Sequence, residues 1–63
     1  MGFKVGDKVR ILTDSLTGSE GVIESVNSIF GDNGYNVVVP GEFNGEPIWY
    51  EGYELELIEE DDK

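Results

Sequence analysis

The chain has 63 residues, with 4 Lys+Arg against 14 Asp+Glu, a formal charge of −10, and neither Cys nor His. That length allows a single domain with a small core, and the lack of Cys and His excludes disulfides and leaves a zinc centre without its usual ligands. A surface this acidic lacks the basic footprint a nucleic-acid backbone requires, so direct binding of DNA or RNA is not expected.

The remaining composition points to an all-β fold. Ala and Gln are absent, while Val and Ile are frequent, with three Phe, three Tyr and one Trp. Helices favour Ala, Leu and Gln, whereas strands favour β-branched and aromatic side chains. Nine glycines supply the punctuation. No run approaches the roughly 18 apolar residues of a membrane span. No apolar run follows Met1, so a secretory leader is not expected and a cytoplasmic residence is.

Gly6-Asp7 reads as a turn. Lys8 to Leu12 alternates polar and apolar residues, the period of a half-buried strand, with Val9 and Ile11 toward the core. Thr13 to Glu20 is a polar loop, and Gly21 to Asn27 a second strand, with Ser28 to Phe30 either extending it or starting a turn. Gly31-Asp32-Asn33-Gly34 is the clearest turn signal, because Asn-Gly suits the positive φ angles of a type I′ hairpin turn. Tyr35 to Val39 is the third strand, ended by Pro40-Gly41. A loop, Glu42 to Glu46, precedes a short fourth strand, Pro47 to Tyr50. Glu51 to Glu54 reads as one tight 3₁₀ turn, Leu55 to Ile58 as the fifth strand, and residues 59–63 as a disordered acidic tail.

Five short strands within residues 1–58 predict one small barrel, since closure removes exposed sheet edges. The charges predict one pairing. Lys4, Lys8 and Arg10 lie near the start, and seven of the acids follow residue 50. If the first and last strands pair antiparallel, Lys8 and Arg10 face Glu54 and Glu56 outside, while Val9, Ile11, Leu55 and Leu57 share the inner face.

Three segments carry a family likeness: Gly6-Asp7-Lys8-Val9-Arg10-Ile11, Gly18-Ser19-Glu20-Gly21-Val22-Ile23 and Tyr35-Asn36-Val37-Val38-Val39. Together they resemble the SH3-like barrels of the KOW type. The ending Tyr53-Glu54-Leu55-Glu56-Leu57-Ile58 resembles the closing turn and strand of the PsaE-like stromal subunit of photosystem I and of the variable chain of ferredoxin–thioredoxin reductase. The likeness spans residues 3–58 and implies a five-stranded SH3-like barrel. This barrel hosts many unrelated activities. KOW modules work beside RNA or transcription and translation complexes, and are often basic, from which this acidic chain departs.

Catalytic chemistry is poorly supplied. Without Cys or His, a serine nucleophile lacks its usual partner, and no nucleophile-elbow motif occurs. The chain is therefore expected to be no enzyme and to need no cofactor. Glu59-Glu60-Asp61-Asp62 lacks the spacing of a calcium loop and reads as a solvated tail, so no metal site is assigned. Gly18-Ser19-Glu20-Gly21 reads as a structural turn, because its Glu would repel phosphate.

The aromatics carry the remaining signal. Phe43, Trp49, Tyr50 and Tyr53 are interspersed with Glu42, Glu46, Glu51 and Glu54. Aromatics rimmed by acids suit a basic protein or peptide, through burial plus cation–π contact with Arg or Lys. The competing reading makes Trp49 and Tyr53 core residues and the acids ordinary surface. Alternation links the choices: with Trp49 inward, Ile48 and Tyr50 point out. Three functions follow: a small adaptor binding a basic partner through Phe43, Trp49, Tyr50, Tyr53, Glu42, Glu46 and Glu51; an acidic nucleic-acid mimic, as in small phage-encoded inhibitors; or a KOW-like module beside an RNA-handling complex. A monomer is expected, with dimerisation through exposed strand edges as the alternative.

Overall fold

A computed structural model of the chain describes residues 2–27 and 34–59. Five antiparallel strands make up its sheet: β1 (Lys8–Ile11), β2 (Glu20–Asn27), β3 (Gly34–Val38), β4 (Ile48–Glu51) and β5 (Leu55–Leu57). Their order is β4-β3-β2-β1-β5. Three short 3₁₀ turns, Asp14–Leu16, Phe43–Gly45 and Gly52–Glu54, are the helical elements among the described residues, and the last leads directly into β5. The all-β expectation and the closing 3₁₀ turn hold. The turn centred on Asp32-Asn33, the Ser28–Phe30 segment and the acidic tail from Glu60 lie outside the described residues. Among those described, no helix is long and apolar enough to cross a membrane.

The sheet does not close by strand pairing, because β4 and β5 each have a single strand neighbour. It nevertheless curls around one core. Val9 and Ile11 from β1, Ile23 from β2, Tyr35 and Val37 from β3, Tyr50 from β4 and Leu55 from β5 form one buried cluster. Among the described residues no second layer covers this face, and a flat sheet would leave it exposed, so twist and bend must fold the sheet over its own inner side chains. Part of the bend lies in β2, where the register with β3 shifts between Ile23 and Ser25, the mark of a bulge. Leu16 and Val39 join the core from outside the strands, and Phe3 packs against it. Phe3 meets the Tyr35 ring edge-on, with centroids 5.2 Å apart, and its N–H donates to the Tyr35 hydroxyl at 3.2 Å.

Gly21 is needed where β2 runs close against β3. A Cβ there would stand 2.6 Å from Val37 Cγ1 and 2.7 Å from the Val38 carbonyl oxygen. The residue is buried opposite Val9. The requirement at this position is close approach.

The first and last strands pair antiparallel, with Val9 opposite Leu57, Arg10 opposite Glu56 and Ile11 opposite Leu55. Arg10 sits between two carboxylates, reaching Glu56 at 3.3 Å and Glu20 of β2 at 3.6 Å. Two details differ from expectation. Glu54 does not face Lys8: it lies in the 3₁₀ turn, where its carboxylate accepts the Glu51 N–H at 2.9 Å, and its carbonyl accepts the Leu12 N–H at 2.9 Å. The strand register instead brings the Lys8 carbonyl to the Ile58 N–H, at 2.9 Å. Leu57 shares Val9's side of the sheet but is 42% exposed, because it lies near the end of the edge strand rather than over the core.

Candidate functional site

The site is built by the connection between β3 and β4. Val39 accepts the Glu42 N–H at 3.1 Å, closing the turn around Pro40-Gly41. Phe43, Asn44 and Gly45 follow at φ 49°, 54° and 79°, three successive residues in the left-handed region. The turn is closed by Gly45 N–H donating to the Glu42 carbonyl and Glu46 N–H to the Phe43 carbonyl, both at 2.9 Å. Gly45 accepts this backbone freely, and Asn44 tolerates it well. Phe43 does not: a bulky side chain at positive φ is an outlier that costs about 1–2 kcal/mol. Its ring is not buried in exchange, since Phe43 is 60% exposed.

Beyond the turn, β4 decides which aromatic faces water. Tyr50 lies opposite Tyr35, and Ile48 opposite Val37, so these two point into the core. Trp49 therefore lies on the outer face, opposite Asn36. Asn36 in turn donates from Nδ2 to the Ser25 hydroxyl at 2.9 Å, which braces the outer face across to β2. The Trp49 indole lies over Gly34, its diagonal neighbour on β3, and occupies the space a Cβ would need there. This covering of a strand glycine by a cross-strand aromatic fixes the ring and leaves it 48% exposed.

Phe43, Asn44, Glu46, Pro47, Ile48 and Trp49 line one shallow groove open to solvent. Glu42 is exposed beside it at the start of the turn. The structure thus brings together Phe43, Trp49 and Glu46 from the sequence-predicted set, while Glu42 precedes Phe43 in the turn and does not line the groove. Asn44, Pro47, Ile48 and the supporting Gly34 were not foreseen. The Asn44-Gly45 turn signal was legible, but its placing of Phe43 in the left-handed region was not.

Tyr50 is corrected. It is 2% exposed and cannot present its ring to a partner. Its hydroxyl points to Asp14 Oδ1 at 3.5 Å. Burial first, then that hydrogen bond and the carboxylate's charge, push its pKa from 10.0 up to about 12. Asp14 itself anchors the β1–β2 loop, accepting the Leu16 N–H on Oδ1 at 2.8 Å and the Thr17 hydroxyl on its carbonyl at 2.7 Å. The reading of Trp49 and Tyr53 as core residues is also overturned. Tyr53 is 78% exposed on the Gly52–Glu54 turn. The Glu51 carboxylate beside it raises its pKa, by charge and by hydrogen bonding. Tyr53 and Glu51 do not line the groove.

A second, smaller depression is lined by Lys8, Glu20, Gly21, Val22 and Pro40 and contains no aromatic residue. Among the described residues no group of three acidic side chains is placed to hold a metal ion. In comparisons with family models, with curated proteins and with solved structures, nothing matches this chain.

Proposed function

We propose that this chain is a small, non-enzymatic, SH3-like protein-binding module that docks a basic protein or peptide in the Phe43–Trp49 groove. The strand order and the 3₁₀ turn before β5 support the SH3-like reading of the fold that the sequence motifs suggest. One observation carries the functional reading: Phe43 is held exposed on a backbone conformation that disfavours it. Strain of this kind persists where the surroundings enforce it, and it clusters at binding sites. Exposed aromatic surface with an acidic rim suits a cationic partner through burial and cation–π contact.

The test is capture of partners from a lysate on immobilised wild-type protein and on Phe43→Ala, with rising salt and with nuclease treatment. A basic protein retained by wild type, lost from Phe43→Ala and indifferent to nuclease supports the reading. A partner that binds both proteins alike and elutes steeply with salt points instead to mimicry of nucleic acid by the acidic surface. Capture abolished by nuclease points to an RNA-associated module.

A further inference from the structure

Resting on the basic-partner reading, we infer that the Phe43–Trp49 groove selects arginine over lysine, stacking a guanidinium on the Trp49 indole with Glu46 as its carboxylate partner. The charge argument comes first. From residue 11 to residue 62 the chain contains no Lys or Arg. Of the cations near the start, Arg10 pairs with Glu20 and Glu56, and Lys4 with Asp7. Among the described residues no ion pair reaches Glu42 or Glu46 at the groove. A cation from another molecule would complement these carboxylates.

The shape of the groove selects which cation. It is shallow and open to solvent, so it cannot strip water from an ammonium. A lysine head, compact and strongly hydrated, gains little there. A guanidinium is planar and weakly hydrated, stacks on aromatic faces, and offers donors in a fork that matches a carboxylate. Trp49 supplies a flat ring already immobilised against Gly34. Glu46 and Asn44 line the same groove and supply acceptors. Phe43, on its left-handed turn, supplies an apolar wall for the aliphatic stem of the arginine.

The experiment uses the full chain, isotopically labelled, and three Gly/Ser peptides that carry arginine, lysine or citrulline at the same positions. Citrulline keeps the plane and removes the charge. Titrations are followed by NMR. The expected result is that arginine binds about fivefold more tightly than lysine, the increment of an exposed cation–π contact, with shifts at residues 43–49. Citrulline binding is lost, and Glu46→Gln weakens the arginine peptide. Trp49→Leu erases the preference for arginine; should that variant fold poorly, Phe43→Ala and Glu46→Gln carry the test. Equal affinity for arginine and lysine overturns the inference while leaving the basic-partner reading in place. Shifts confined to other acidic residues also overturn it. Silence toward both cationic peptides, or citrulline binding as well as arginine, overturns both.

Discussion

The indole of Trp49 lies over Gly34, so that a single glycine on β3 determines where the exposed aromatic of β4 rests. Any side chain at position 34 has to displace the ring. Gly34→Ala is expected to lower stability by about 1–3 kcal/mol, the usual range for forcing atoms into occupied space. Urea melts check the loss. Trp49 is the single tryptophan of the chain, so its emission reports the displacement directly. Unchanged stability together with an unchanged spectrum would contradict this packing.

Phe43→Gly is expected to separate stability from binding. The substitution releases the left-handed strain at φ 49°. Against this, glycine gains freedom in the unfolded chain, so the net gain is about 0.5–1 kcal/mol. Denaturant midpoints should rise, while affinity for a cationic peptide should fall because the exposed ring is gone. A destabilised Phe43→Gly would show that the ring contributes more to the fold than its exposure implies.

Arg10 is the hub of the outer surface of β2, β1 and β5. Arg10→Glu places a third carboxylate between Glu20 and Glu56 and is expected to cost about 1 kcal/mol, since the pairs are half exposed and each is worth only a fraction of that. Combining Arg10→Glu with Glu56→Arg should recover the β1–β5 part and leave the deficit toward Glu20. Raising salt should shrink the difference between the single variant and wild type. Denaturant melts at two ionic strengths measure both effects.

Tyr50 sets an alkaline limit. Its folded pKa of about 12 stands above the ordinary 10.0. Below the lower value both folded and unfolded chains hold the proton, and the stabilising contribution is complete. Between the two values the folded state holds the proton while the unfolded state loses it, so stability falls as pH rises. The loss is at most about 3 kcal/mol, as the difference between the two pKa values implies. Tyr50→Phe should flatten this stretch of the pH profile, as seen in melts at graded alkaline pH. Tyr53, also raised by Glu51, contributes with the same sign.

Much of the fold was legible because its signals are local. Alternation in Lys8–Leu12 and the concentration of acids after residue 50 together predicted the β1–β5 pairing that places Arg10 opposite Glu56. The phase of β4 was not legible. Ile48, Trp49 and Tyr50 are all large and apolar, so alternation alone permits either phase. The choice is made by partners distant in sequence: Tyr35 and Val37 fix the inner positions, Asp14 meets the Tyr50 hydroxyl, and Gly34 leaves room for the indole outside. Leu16 was hidden for a similar reason. It stands in a polar stretch, and only the Asp14–Leu16 turn aims it at the core. In the candidate site, composition identified Phe43, Trp49 and Glu46, but the left-handed backbone that presents Phe43 has no sequence signature beyond Asn44-Gly45.

The most direct measurement is an NMR map of a cationic arginine-containing peptide titrated onto the labelled wild-type chain and onto Phe43→Ala. The account predicts shifts concentrated at Phe43–Trp49, with β1 and β5 undisturbed, and their loss in the variant. Shifts spread over the acidic surface and unaltered by Phe43→Ala would contradict it.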